Sequence, residues 1–103
     1  MYYNGNMAAW SFLTNHARVF VSIAKDPGAR LKDIAEILGI TERSAFAIVK
    51  DLTETGYIVK EKSGGRNRYH IQNHLPVKEA LIRDLAVGEF LEALVGPEEA
   101  SIL

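Results

Sequence analysis

Apolar side chains recur along this chain with two different periods, and the switch between them marks out its elements. Trp10, Leu13, Ala17, Phe20, Val21 and Ala24 fall at helical spacing. Phe12, Val19 and Ile23 widen that stripe over most of the helix circumference, which predicts burial on several sides and partly against a second subunit. Asp26-Pro27-Gly28 ends the helix, because proline disfavours helical geometry in the residue before it. Leu31, Ile34, Ala35 and Leu38 form a second stripe at i, i+3, i+4 and i+7, closed by Gly39. Thr41 then offers a hydroxyl that accepts from a free N–H at the next helix start. Ala45, Ile48, Val49 and Leu52 repeat the same spacing before Gly56.

From there the period falls to two. Tyr57 to Lys62 is rich in β-formers and alternates apolar with charged, Ser63 to Asn67 is a turn cluster, and Arg68 to Gln72 alternates again. Tyr69 and Ile71 share one face of that second strand, and Arg68 and His70 share the other. After Asn73, Pro76 suits a helix start. Leu81, Ile82, Leu85, Phe90, Leu91, Leu94 and Val95 continue an apolar pattern interrupted by Gly88, so one bent helix or two short ones are expected over 76–95, with a frayed tail from Gly96. The predicted fold is mainly α with a small β-hairpin. It is a winged helix-turn-helix over about 31–56, a wing over about 57–72, and N-terminal and C-terminal helices, the last over about 76–95, in one domain spanning 1–103.

Composition sharpens this picture. The 103 residues suit one small domain, and a core of that size gains from a partner subunit. No apolar run approaches the length needed to span a bilayer, and Met1 to Trp10 carries no basic segment of the kind that opens a secretory signal. The chain has no cysteine, which excludes disulfides, thiolate metal sites and cysteine nucleophiles and favours a cytoplasmic location. A net charge of −1 argues at first against a nucleic-acid binder. The charge is segregated, however: residues 1–42 are neutral, residues 43–70 hold six basic side chains against three acidic ones, and residues 71–103 hold two against six. A middle segment at +3 points to a local anionic partner.

The residues Leu31-Lys32-Asp33-Ile34-Ala35-Glu36-Ile37-Leu38-Gly39-Ile40-Thr41-Glu42-Arg43-Ser44, Asp51-Leu52, Thr55-Gly56-Tyr57-Ile58 and Gly65-Arg66-Asn67-Arg68-Tyr69-His70-Ile71 resemble winged-helix transcriptional regulators of the MarR/ArsR-like kind found in prokaryotes. Val87-Gly88-Glu89-Phe90-Leu91 looks like the short dimer-side helix of one small subgroup. The resemblance implies double-stranded DNA binding, a homodimer and a regulatory role. Its mechanism would pair two copies through the apolar first helix and the C-terminal segment, with Trp10, Leu13, Phe20, Phe90, Leu91 and Leu94 at the interface. Two recognition helices would then sit about 34 Å apart on a palindromic operator.

With Ala45, Ile48, Val49 and Leu52 facing the core, helix geometry turns Arg43, Phe46, Ala47, Lys50 and Glu54 outward. Arg43 is placed to donate to a guanine edge, Ser44 to a base or phosphate, Thr41 with the helix start to a phosphate, and Lys50 to backbone phosphate. Relatives commonly carry polar residues where this chain has Phe46 and Ala47. Either Phe46 touches thymine methyls, or it is buried, by tucking against a neighbouring helix or by a slight rotation of its own helix, and reads nothing. Lys62, Arg66, Asn67 and Arg68 sit on or beside the wing tip, where a Gly-Gly turn lets cations reach phosphates or a minor groove; as an alternative they are solubilising charges.

Enzyme signatures are missing, and no cofactor is expected. There is no GxSxG, HExxH, Walker loop or GxGxxG. His16, His70 and His74 form no metal-ligand pair at matched helical spacing. The competing function is a winged-helix module that binds protein rather than DNA, favoured by Phe46 and Ala47. A single-stranded or RNA-associated domain is disfavoured because Tyr57 and Tyr69 look inward. A small-molecule effector is unspecified, with the space between the first and last helices as the place to search.

Overall fold

The computed structural model describes residues 10–96, which form four helices and one antiparallel hairpin. In order these are α1 (Asn15–Lys25), α2 (Leu31–Leu38), α3 (Glu42–Glu54), β1 (Ile58–Ser63), β2 (Arg66–Ile71) and α4 (Val87–Val95). The expectations for the N-terminal stretch before Trp10 and for the tail after Gly96 lie outside the described residues. No described helix is long and apolar enough to cross a membrane.

α1 starts later than its apolar stripe suggests. The Thr14 hydroxyl accepts the Ala17 N–H at 3.1 Å, so Thr14 is the cap, and Trp10 and Leu13 precede the helix. The stripe also does not wrap the helix: Val19, Phe20, Ile23 and Ala24 are buried, and Phe12 lies off the helix in solvent. Burial of α1 is satisfied within the protomer, against α3, α4 and α2.

α2 and α3 follow the expected pattern. Gly39 closes α2 with φ at 72°, and Thr41 caps α3 by accepting the Ser44 N–H at 3.0 Å. The periodic residues Ala45, Ile48, Val49 and Leu52 are all buried. Ile48, Val49 and Leu52 each contribute about 1.5–3 kcal/mol on removal from water, so this face fixes the rotation of α3 about its axis.

The hairpin pairs Ile58 with Ile71 at its base and Ser63 with Arg66 at its tip. Its turn is only Gly64-Gly65, shorter than the Ser63–Asn67 cluster predicted. Both glycines have positive φ, 60° and 84°, the combination that a type I′ two-residue turn requires and side-chain-bearing residues resist. The turn's twist matches that of the strands, so pairing extends through Ser63 and Arg66. Ile58, Tyr69 and Ile71 complete the core. The outer edge of β2 is covered by the α1–α2 loop, where Pro27 O accepts the Tyr69 N–H at 3.0 Å.

The C-terminal segment departs most from expectation. Pro76 does not start a helix. It forms an isolated antiparallel bridge with Ala86, flanked by Val77 N–H to Leu85 O and Val87 N–H to Leu75 O, both 2.8 Å. The residues between are an excursion in which Leu81 is 91% exposed, so apolar spacing there marked no helix face. α4 is the single short helix from Val87, and the Glu89 carboxylate accepts the Ala86 N–H at 3.0 Å to satisfy its start. Gly88 does not interrupt it. It permits close approach, since a Cβ there would lie 3.1 Å from the Asn73 Cβ, and its N–H donates to Asn73 O at 2.9 Å. Phe20 and Leu91, expected between subunits, belong instead to the core of the protomer: Phe20 stacks on Tyr57 at 5.9 Å between ring centroids, and Leu91 is fully buried.

Candidate nucleic-acid interface

Rotation of α3 decides which of its side chains meet a partner. The four buried positions leave Arg43, Ser44, Phe46, Ala47 and Lys50 in solvent, together with Glu42 and Glu54. Phe46 is 60% exposed, which answers the alternative that it tucks against a neighbouring helix. Arg43 forms no hydrogen bond or ion pair with another described residue. Lys50 does: its ammonium lies 2.9 Å from the Glu54 carboxylate, an i, i+4 pair in solvent. The hydrogen bond to Glu54, followed by the attraction of its charge, holds the Lys50 pKa above the ordinary lysine value. Thr41 has a similar prior engagement. Its hydroxyl accepts from Ser44 N–H and donates to Ser44 Oγ, both at 3.0 Å.

The wing brings its basic side chains onto exposed strand ends beside the Gly64-Gly65 turn. Lys62 is opposite Asn67 in the ladder, Ser63 is opposite Arg66, and Glu61 is opposite Arg68. Lys62, Arg66, Asn67 and Arg68 are all exposed. Glu61 is shared within this surface, since its carboxylate also lies 2.6 Å from His70 Nε2. Arg66 is not a free arm. Its guanidinium donates to Gly28 O at 2.7 Å and ties the wing to the loop before α2. Together with the Pro27–Tyr69 bond, this makes the wing and the helix pair one supported unit.

Several positioning residues have little sequence signal. Arg18 donates to Leu38 O at 3.1 Å, satisfying a free carbonyl at the end of α2, and also to Asn15 Oδ1 at 2.9 Å. A cation is favourable at a helix C-terminus, but nothing in local spacing ties residue 18 to residue 38. His16 Nε2 lies 2.8 Å from Asp51 Oδ2 and links α1 to the exposed side of α3. Tyr57 is half-buried and accepts the Lys78 N–H at 2.9 Å, and Tyr69 is buried.

The space between α1 and α4 is small, about 150 Å³, and lined by apolar groups such as Phe20, Leu52 and Phe90. A groove of about 760 Å³ runs instead between α1 and α2, from Leu13 and Val21 to Ile37 and Arg66.

A helix pair with a capped, outward-facing second helix, backed by a hairpin wing with basic residues, is a winged helix-turn-helix. A MarR family model matches residues 12–68, from just before α1 to the middle of β2. The chain belongs to the MarR family. No curated protein and no solved structure matches it. The family is one of DNA-binding transcriptional regulators, and its members are regulators rather than enzymes. The match takes in all of α2 and α3 and the wing turn, and it leaves α4 outside. In this winged helix-turn-helix α3 is the second helix of the pair and β1–β2 is the wing.

Proposed function

We propose that this chain is a sequence-specific, double-stranded DNA-binding transcriptional regulator that acts in the cytoplasm as a homodimer on a palindromic operator. The observation that carries this reading is the outward face of α3. Arg43, Ser44, Phe46, Ala47 and Lys50 are exposed there, capped by Thr41 and flanked by a wing carrying Lys62, Arg66, Asn67 and Arg68. In helix-turn-helix docking, the start of such a helix meets base edges while cations beside it meet phosphates. Arg43, with no competing partner among the described residues, is the side chain assigned to a guanine edge. The free N–H groups at the start of α3, beside the Thr41 cap, are assigned to a phosphate. Lys50 and the wing cations supply sequence-independent attraction.

With Phe20 and Leu91 inside the protomer, the homodimer contact is assigned to Trp10, Leu13, Phe90 and Leu94. All four are exposed or half-buried and belong to segments at the two ends of the described chain. Pairing through these segments would leave the α3 faces free for two half-sites about 34 Å apart. The net −4 of residues 71–103, if carried on the dimer side, would orient the molecule on DNA.

A second reading, a winged-helix module that binds protein without DNA readout, is favoured by the exposed Phe46 and Ala47. Selection from random duplexes at two salt concentrations separates the two. The DNA reading expects a palindromic consensus and binding that weakens steeply with salt. It also expects weaker binding to all sequences in Arg66→Ala and Arg68→Ala. No enrichment together with salt-insensitive binding overturns it in favour of the protein-binding module.

A further inference from the structure

The outward face of α3 has little hydrogen-bonding capacity left for bases. Thr41 is engaged in the cap and with Ser44 Oγ, and Lys50 is engaged with Glu54. Arg43 and the remaining proton of Ser44 are the available donors near the helix start. Between Arg43 and Lys50 the surface is apolar, formed by the 60% exposed ring of Phe46 and the methyl of Ala47. Arg43 stands three residues before Phe46 and Lys50 four residues after it, so the ring is flanked by a cation one turn to either side. Pressing this face onto an apolar protein surface would desolvate Arg43 with no acidic partner, along with the Lys50–Glu54 pair. A polyanion's groove pairs Arg43 with an acceptor and meets the ring with base edges. Among the groups a base pair displays in the major groove, the one that rewards an apolar side chain is the C5 methyl of thymine.

We propose that Phe46, backed by Ala47, reads a thymine methyl in each half-site and is a specificity-determining residue of this chain. The proposal rests on the duplex-DNA reading above and names the base that the most unusual side chain on the recognition helix selects. Hydrogen-bond donation to bases is then assigned to Arg43 and Ser44, and methyl contact supplies the discrimination that further polar residues would otherwise give.

Replacing thymine with uracil tests this without altering the protein. Uracil keeps the hydrogen-bonding edge and removes only the methyl group. Duplexes carrying the selected consensus, and versions with single thymines changed to uracil, are titrated with wild-type protein, Phe46→Ala and Phe46→Leu, with fluorescence anisotropy as the readout. At one position per half-site, uracil is expected to weaken wild-type binding about fourfold, the worth of one buried methyl group. Phe46→Ala is expected to bind both duplexes equally, and Phe46→Leu to keep the discrimination. Because Phe46 is exposed, Phe46→Ala should retain the wild-type thermal midpoint, which shows that the variant folds. Wild-type binding that is indifferent to uracil at every position, or discrimination that persists in Phe46→Ala, overturns the assignment while leaving the DNA reading intact. Failure to bind any duplex overturns both.

Discussion

Leu91 distinguishes a residue that holds the protomer together from one that joins two copies. Its side chain is fully buried where α4 packs on α1. Leu91→Ala removes three carbons, worth about 2.4 kcal/mol of transfer free energy at about 0.8 kcal/mol each. The unfilled cavity raises the expected cost to roughly 3–5 kcal/mol. Against a total stability of about 5–15 kcal/mol for a domain of this kind, that is a large fraction. At about 4–8 °C per kcal/mol, the thermal midpoint should fall by at least about 12 °C. The assay is circular dichroism melting of wild type and variant at two protein concentrations a hundredfold apart. A core residue lowers the midpoint by the same amount at both, because the lost contacts lie within one chain. An interface residue produces a difference that changes with concentration, since its contacts exist only in the assembled state. A drop below about 3 °C, or one that varies with concentration, would refute the placement of Leu91 in the protomer core. Leu94→Ala is the companion measurement. Leu94 is 42% exposed, so a small effect that shrinks on dilution is expected if it lies between copies.

Two further predictions follow from the charged and titrating groups. Glu54→Gln releases Lys50 from its ion pair and removes a negative charge from the outward face of α3. Duplex affinity should rise, and the slope of log affinity against log salt should steepen by about 0.9, one additional phosphate contact; an unchanged slope would mean that Lys50 does not reach DNA. Tyr69 has its pKa raised above the usual 10.0, chiefly by burial, with the Asn67 hydrogen bond opposing. The folded state therefore holds that proton more tightly than the unfolded chain. The stability this contributes is fully present below about pH 10 and is lost as pH rises through the higher folded value. Urea midpoints measured across this range should fall less steeply in Tyr69→Phe than in wild type, and identical slopes would contradict the burial of the phenol.

Local pattern made the centre of the molecule legible. The i, i+3, i+4, i+7 stripes of α2 and α3 match the buried residues closely, and the alternation at Tyr69 and Ile71 matches the buried face of β2. These elements are short, bounded by glycines and a capping threonine, and each buries one face, so periodicity and burial coincide. The ends were less legible for a physical reason. Apolar residues from Leu75 to Leu85 could have been a helix by spacing. The structure uses Leu75 and Val77 to lie against the core and closes the excursion with backbone bonds at Pro76 and Ala86. Gly88 reads as a helix weakness, yet it is where Asn73 comes close, its Cβ 3.1 Å from where a Gly88 Cβ would lie.

For the candidate interface, the sequence alone determined which side of α3 faces out. Four apolar positions at helical spacing turn Arg43, Ala47 and Lys50 outward, while the sequence leaves Phe46 open between an outward ring and one buried by a sideways tuck or a slight rotation of the helix. Tertiary structure decided what those side chains are free to do. It engages Lys50 with Glu54, fastens Arg66 to Gly28 and leaves Phe46 uncovered. It also moved Phe20 and Leu91 from an expected subunit contact into the protomer. Helical spacing reports that a face is apolar. Whether that face meets its own chain or another depends on how elements distant in sequence pack, which periodicity does not encode.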